Sequence, residues 1–469
     1  MNEELIPLQN NEDEDNKEEI GEVLSDAGCS SESWDILPAL CLRHVFEFLD
    51  DRDRRSADLV CHRWHNVMHS PSLWRSHTFL LNVRPSKHRQ SEYRSAVAYV
   101  QRRGVFLERL AVLLNPPCSY SIAWRLVKTI RALFHELTRA GASLKSVCLT
   151  NLGLDRPCWS LGLRNSIVYC LIEFFCSQGS SLSSVGLNGM KLGMNPGLAL
   201  LSTLAQSQKR INQCCYISSL DLKGFFSGEL PVYRNSKMPL TLSFMTGLTH
   251  LSLSYSCLSD ELLVALQHRA QGRRNFVPLQ TFSLWCSLNV PHEQVVCGDS
   301  WESLASCCPG LKVKITVDQI LNNDRLARIL LPEIPLVDFS MTAFYSADEE
   351  WSPRRLFHRM LPQFRHSLKY LTLHLANCSE LLDDELLKLV KCCDLLEQLK
   401  VWAFLEIRTV QKLLKIRLSK KSLLNTIRVS VYSVEEDHEE QQALLEKVLS
   451  TYRHLPPELD FFATVYPYV

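Results

Sequence analysis

A six-residue pattern, apolar-x-x-apolar-x-apolar, recurs ten times between Phe106 and the C-terminus. It reads Leu107-Leu110-Val112, Leu144-Val147-Leu149, Leu182-Val185-Leu187, Ile217-Leu220-Leu222 and Leu248-Leu251-Leu253 in the first half. It continues as Leu279-Phe282-Leu284, Ile334-Val337-Phe339, Leu368-Leu371-Leu373, Leu396-Leu399-Val401 and Leu424-Ile427-Val429. Leu311–Val317 is a further copy with its register slipped. The alternation that closes each copy is a strand signature. Between copies lie stretches with helical spacing, such as Ser259–Ala270 and Asp383–Cys393. The second of these puts Leu386, Leu389, Val390 and Cys393 on one face. A strand followed by a helix, repeated in this way, predicts a stacked array whose units bury their apolar sides only against neighbours. Bulky helices on one side and parallel strands on the other force curvature, which makes the strand side concave. The competing reading is a non-repetitive α/β domain with coincidental apolar runs.

The stretch Trp34–Trp74 has a different organisation. Pro38 suits a helix's first turn, where its missing N–H costs nothing. Leu42, Val45, Phe46 and Leu49 then follow at i, i+3, i+4 and i+7. The polar run Asp50–Asp53 stops that helix and caps the next. Ala57, Val60, Cys61, Trp64 and Met68 repeat the spacing. Ser70-Pro71 starts a third piece that delivers Leu73 and Trp74. So short a unit buries too little surface to be comfortably stable alone, and it should lean on a partner or on the domain behind it.

The order of these landmarks resembles an F-box: Leu37-Pro38 at the entry, Val45-Phe46 with Leu49, then Val60-Cys61, Trp64 and Leu73-Trp74. Where that family has Leu after the Asp matched by Asp53, this chain has Arg54 and Arg55. The repeat region resembles the leucine-rich repeats of many F-box proteins, carried by Cys308-x-x-Leu311, Cys393-x-x-Leu396 and the block Leu248–Leu266. Its spacings run from 23 to 38 residues, mostly longer than the usual ~20–29. The Asn or Cys expected three places after the last strand residue is Met190, Phe225, Ser256 or Ala376 in four copies. Asp51–Cys61, Arg325–Leu336 and Val401–Ile407 resemble segments of F-box-only proteins. The fold class expected is therefore α/β, a short all-helical F-box module followed by an irregular leucine-rich-repeat-like α/β solenoid. The expected divisions are an acidic disordered tail at 1–33, the F-box at 34–80, a helical linker at 81–105 and the solenoid at 106–469.

Residues 1–33 hold eleven acidic residues and one Lys, a net charge of −10, in a chain that is neutral overall. The remaining +10 is spread out, whereas nucleic-acid binding calls for a concentrated patch. Lys87-His88-Arg89, Arg102-Arg103, Arg273-Arg274 and Lys420-Lys421 are scattered. The N-terminus lacks the apolar core of a secretory signal. No apolar run reaches the ~18–20 residues needed to span a bilayer. An intracellular protein, cytoplasmic and/or nuclear, is expected. The eighteen cysteines form no CxxC pair. Cys148, Cys170, Cys257 and Cys286 sit beside aliphatics, as buried thiols do.

No nucleotide-binding loop, nucleophile elbow or HExxH is present. His65 and His69 share a helical face with His62 nearby, but the spacing supplies no carboxylate or Cys to that face. Asp383-Asp384 precede a helix, where the macrodipole favours anions. Cys61, followed by His62 and Arg63, falls on the apolar face. No catalytic, cofactor or metal residues are assigned.

The resemblance implies a non-catalytic substrate adaptor of a ubiquitin ligase. Its F-box would dock on a Skp-family adaptor, and through it on a cullin–RING ligase, while the solenoid holds an unknown substrate protein. Leu37, Pro38, Leu40, Leu42, Val45, Phe46 and Leu49 are the docking candidates. Val60, Cys61, Trp64, Leu73 and Trp74 are expected in the module core. No nucleic acid or membrane is expected as a partner. Two alternatives stay open: a repeat scaffold or nucleic-acid binder outside ubiquitination, and a thiol enzyme using one of the cysteines.

Overall fold

The computed structural model describes residues 37–81, 90–208, 216–268, 277–290, 293–345, 351–377, 380–419, 423–434, 437–452 and 454–467. The acidic segment 1–33, Trp34 and the basic groups at 87–89, 273–274 and 420–421 lie outside them. The chain divides into two compact units between Leu73 and Trp74.

The first unit holds three short helices, α1 (Ala39–Glu47), α2 (Asp51–Ala57) and α3 (His62–Met68). Pro38 is the N-cap of α1. Asp50 caps α2, its carboxylate accepting from the Arg52 and Asp53 amides at 2.9 and 2.8 Å. Those contacts satisfy two donors that a helix start leaves without intrahelical partners. Leu42, Phe46, Ala57, Val67, Met68 and Leu73 are buried. Phe46 meets Trp64 edge to face, their ring centroids 5.1 Å apart. Arg54, which stands where the F-box pattern has Leu, ties the unit together. Its guanidinium donates to the carbonyls of Phe46 (3.1 Å) and Glu47 (3.1 Å) at the end of α1 and to that of Leu73 (2.8 Å). A planar fork of donors suits several carbonyls at once.

The second unit is a single parallel sheet with its strands in chain order. The strands are β1 (Ser76–Leu81), β2 (Arg109–Leu114), β3 (Ser146–Thr150), β4 (Ser184–Gly186), β5 (Ser219–Leu222), β6 (His250–Ser254) and β7 (Thr281–Ser287). There follow β8 (Lys312–Asp318), β9 (Leu336–Phe344), β10 (Tyr370–Ala376), β11 (Gln398–Ala403), β12 (Thr426–Ser433) and β13 (Asp460–Pro467). In nine of the ten copies of the motif all three apolar residues are at most 2% exposed. Helices cover that face, among them α4 (Gln90–Arg103), α5 (Tyr120–Arg139), α6 (Leu161–Gln178) and α7 (Met194–Ser207). Each packs on the next, as Phe134 of α5 stacks on Phe174 of α6 at 4.3 Å.

Three features differ from the periodicity. The remaining copy, the seventh in chain order, is Leu336-Phe339-Met341, each fully buried, and not Ile334-Val337-Phe339. The pairing of Phe339 with Leu371 and Met341 with Leu373 fixes that register. The slip lies in the pairing of β8 with β9, where Val313 faces Leu336 and Lys314 faces Asp338, which leaves Val337 as the extra residue. The sheet also starts before Phe106, with β1 pairing β2. The periodicity passes over β1 because His77 occupies its central apolar place, stacked on Tyr99 at 3.9 Å. Accordingly α4, expected in a linker at 81–105, packs on β1 and α5 and buries Ala96 and Val100.

A regular Asn ladder is absent from the copies named above, and single side chains join successive turns of the array instead. Asn377, fully buried, accepts from the Phe404 amide at 2.8 Å and donates to the Phe404 carbonyl at 2.9 Å. Gln208 donates to the Gly179 carbonyl and accepts from the Ile217 amide. Ser254 Oγ accepts from the Gly224 amide at 2.9 Å.

Leu371→Ala is expected to cost about 2–5 kcal/mol, the range for emptying such a core site. Because the array couples nearest neighbours, hydrogen exchange should accelerate in β9, β10 and β11 and stay near wild type in β2–β4. Uniform acceleration across the sheet would contradict this architecture.

Candidate functional site

Two surfaces are available for binding, one in each unit. In the helical unit, large apolar side chains remain in water after the core has formed. Leu40 is 65% exposed, Val45 41%, Phe48 80%, Leu59 86% and Val60 60%. Exposed singly, such residues would need no explanation; so many in a unit this small mark an interaction surface.

The structure divides the docking candidates. Pro38, Leu40 and Val45 are exposed, Leu37 and Leu49 are half-buried, and Leu42 and Phe46 are buried. Leu42 and Phe46 therefore hold α1 to its own unit and offer no free side chain to a partner. The i, i+3, i+4, i+7 spacing marks the side of a helix that is covered, and here α3 covers it, with Trp64 on Phe46. Among the expected core residues, Leu73 is buried in the helical unit and Cys61 and Trp64 are half-buried, whereas Trp74, also buried, belongs to the second unit and meets Tyr99 of α4 at 6.2 Å. Val60 is not in the core. The spacing that places it there runs one helix through residues 57–68, whereas α2 ends at Ala57 and α3 begins at His62. The turn between them swings Leu59 and Val60 into solvent. Phe48 and Leu59 escaped the sequence criterion because both lie off the periodic face, which is itself the signal for an exposed apolar residue. Arg63 donates to the Leu37 carbonyl and so pins the entry of α1 to α3.

The uncovered face of the sheet is the second surface. Several of its charges are paired between adjacent strands and their entry loops. Glu108 meets Lys145 at 3.0 Å and Arg75 at 3.5 Å. Lys314 meets Asp338 at 3.6 Å, Lys369 meets Glu397 at 2.6 Å and Arg428 meets Asp460 at 2.8 Å. The hydrogen bond from Lys145 holds Glu108 below its ordinary pKa. Burial raises that of Asp338. Such cross-strand pairs contribute modestly to the sheet, and the same face also carries aromatics.

Those aromatics gather near the C-terminal end of the array. His374 lies 4.8 Å from Phe344, 5.8 Å from Trp402 and 6.0 Å from Tyr432 between ring centroids. Its Nε2 is hydrogen-bonded to the Tyr432 hydroxyl. Phe404 adds a contact to Tyr432 at 5.5 Å. Phe344, Phe462 and Tyr466 keep 43%, 54% and 57% of their surface in water. Farther along the sheet, the ammonium groups of Lys191 and Lys223 sit 5.5 and 5.0 Å from the ring centre of Trp285.

The four thiols that the sequence places beside aliphatics are raised by burial. Burial pushes the Cys257 thiol up to about 12 and Cys170 to about 11, and it raises Cys286 and Cys148 as well. A thiolate nucleophile requires the opposite shift. Asp383 accepts from the Glu406 amide at 2.9 Å and is raised by burial, a structural role at the start of the helix Asp383–Cys392. Arg103 covers Trp74 at 4.5 Å, which accounts for one of the scattered basic groups. Among the described residues no helix is long and apolar enough to cross a membrane.

Residues 34–80 match the family model described as F-box-like. The chain is also similar to F-box/LRR-repeat protein 21 of Ovis aries, 23% identical over 284 residues, covering 60% of this chain and 58% of that protein. The Bos taurus protein of the same name is 23% identical over 287 residues, covering 60% and 58%. That of Mus musculus is 25% identical over 240 residues, covering 50% and 48%. The matches thus span less than two-thirds of the length of these curated relatives. Among solved structures, a chain of the TLR13–ssRNA13 complex aligns over 65% of this chain and 37% of its own, at 14% identity and a TM-score of 0.29, and nothing is inferred from it. The chain carries an F-box-like helical unit followed by a leucine-rich-repeat-like α/β solenoid, and it is homologous at low identity to F-box/LRR-repeat proteins.

Desolvation holds His374 below the ordinary imidazole pKa, so the unfolded chain takes up this proton first as pH falls. Stability present above about pH 6.5 is then lost as pH drops toward the folded-state value. His374→Gln, which keeps a polar group beside Tyr432 without titrating, should lose less stability than wild type between pH 7 and pH 5. Identical acid sensitivity in thermal melts would show that His374 is not held neutral.

Proposed function

We propose that this chain is the substrate-recognition component of a Skp–cullin–F-box type E3 ubiquitin ligase and that it performs no chemistry itself. The helical unit docks on the Skp-family adaptor, and through it on the cullin–RING assembly. The strand face of the solenoid holds the substrate protein. Catalysis is then a matter of proximity, because a tethered acceptor lysine meets the charged carrier at high effective concentration. The observation that carries this reading is the coincidence of the F-box-like match over residues 34–80 with apolar side chains left in water on that same unit.

Docking falls to Leu37, Pro38, Leu40, Val45 and Leu49, joined by Phe48, Leu59 and Val60, while Leu42 and Phe46 support them from within. On the sheet, the aromatic group around His374 offers the substrate an apolar surface that the paired charges elsewhere do not. The segments Asp51–Cys61, Arg325–Leu336 and Val401–Ile407 further suggest a likeness to F-box-only protein 39 and its close relatives. A cytoplasmic or nuclear location goes with this assignment.

Each aliphatic side chain buried on docking contributes roughly 1.5–3 kcal/mol, and every ~1.4 kcal/mol is tenfold in affinity. Leu40→Ala combined with Val45→Ala should therefore weaken adaptor binding about a hundredfold or more, with an unchanged far-UV spectrum since both residues are exposed. Binding should also be nearly insensitive to salt. Undiminished binding of the double variant would remove these positions from the interface. A steep loss of partner binding with salt would favour a phosphate-bearing ligand instead, the reading in which the solenoid is a nucleic-acid-binding scaffold.

A further inference from the structure

The turn between α2 and α3 gathers three metal-ligating side chains that have no part in the docking described above. Asp58 is the C-cap of α2, and His65 and His69 lie one turn apart at the C-terminal end of α3. Helical spacing alone supplies no carboxylate to that histidine face. The reversal of the chain at residues 58–61 brings one there. Asp58 Oδ1 stands 3.0 Å from His65 Nδ1, and the imidazole centroids of His65 and His69 are 4.4 Å apart. One ligand atom from each of the three residues lies within 4.8 Å of those of the other two.

We propose that Asp58, His65 and His69 form a binding site for a divalent transition-metal ion of the zinc type, with a fourth position open to water. Two details point to a ligand beyond mere adjacency. The His69 Nδ1 contact to the His65 carbonyl, 2.8 Å long, places the proton on Nδ1, because a carbonyl oxygen only accepts. That leaves Nε2 with its lone pair and fixes the ring, the second-sphere arrangement that metal-bound histidines ordinarily have. In addition, Asp58 Oδ1 is shielded from solvent yet receives no aligned hydrogen bond. It is a charged acceptor held close to an imidazole without a donor properly directed at it. A metal ion supplies the missing positive charge at that acceptor.

The donor set of two imidazoles and one carboxylate suits Zn²⁺, and metal–ligand bonds of about 2.0–2.2 Å place tetrahedral donors roughly 3.3–3.5 Å apart. His65 and Asp58 keep 49% and 32% of their side-chain surface in water, so their side chains have room to adjust toward that range. Oxygen-only cations such as Mg²⁺ fit this set poorly. The bound ion would clamp the end of α2 to the last turn of α3, across the turn that carries Leu59 and Val60. The site stands whether or not the chain is a ligase component.

The test is metal binding by the full-length chain, in which exposed cysteines also compete for zinc. Equilibrium dialysis against Zn²⁺ should show one equivalent fewer for His65→Gln/His69→Gln than for wild type, and Asp58→Asn should weaken that equivalent about tenfold. His62→Gln, an exposed neighbour outside the cluster, should leave it unchanged. In wild type, Co²⁺ bound at this equivalent should give a tetrahedral d–d spectrum without a thiolate charge-transfer band. His65 and His69 are exposed and Asp58 is half-buried, and a far-UV spectrum matching wild type separates loss of ligands from loss of fold. Equal stoichiometry and affinity in wild type and the double variant would overturn the proposal, as would loss of the same equivalent in His62→Gln.

Discussion

Burial of one face of a parallel sheet is the constraint on which the second unit depends. Each strand meets only the strands before and after it, so every motif leucine must find cover locally. Near-complete burial of those positions from Leu107 to Val429 shows how uniformly that is met. The variable spacing between motifs does not disturb it. Extra residues go to the helical side and the connections, while the strands keep register with one another. Where a repeated Asn would tie the turns of a regular array, Asn377, Gln208 and Ser254 each do so at one place. A fully buried amide with both ends paired fixes its loop well, because leaving either end unpaired costs about 1–3 kcal/mol.

The helical unit solves a different problem with fewer residues. Its interior is a handful of side chains around Phe46 and Met68, too little to be robust alone. Arg54 compensates by joining α1 to the carbonyl of Leu73 through charge-assisted hydrogen bonds. The remaining apolar surface, from Leu40 to Val60, is left uncovered within the unit. A small interior and a large exposed apolar share are two sides of one economy, in which residues that could have enlarged the core face outward.

How much of this was legible in the sequence follows from how each residue is used. The array was legible because its leucines are wholly buried and strictly spaced. β1 and β13 were not, since His77 takes the central apolar place in one and Glu458 the first place in the other. The register of β9 was ambiguous because Ile334, Leu336 and Val337 are all apolar around Pro335, and only pairing with β10 decides which point inward. In the helical unit, periodicity located the helices but not their free faces. It marks what is covered, so it favoured Leu42 and Phe46 over Phe48 and Leu59. The Asp58–His65–His69 cluster depends on a chain reversal that no helical spacing encodes.

In the proposed reading, function is divided between two surfaces that share no residue, one made of aliphatic side chains on short helices and the other of aromatics on a sheet. The most direct test of that division is affinity purification from cells with the proteasome blocked, comparing a variant altered on the helical surface with one in which Phe344, Phe462 and Tyr466 are replaced by Ser. The account predicts that the first loses the ligase adaptor and keeps its substrate proteins, and that the second does the reverse. Loss of both classes of partner from either folded variant, or of neither from both, would contradict it.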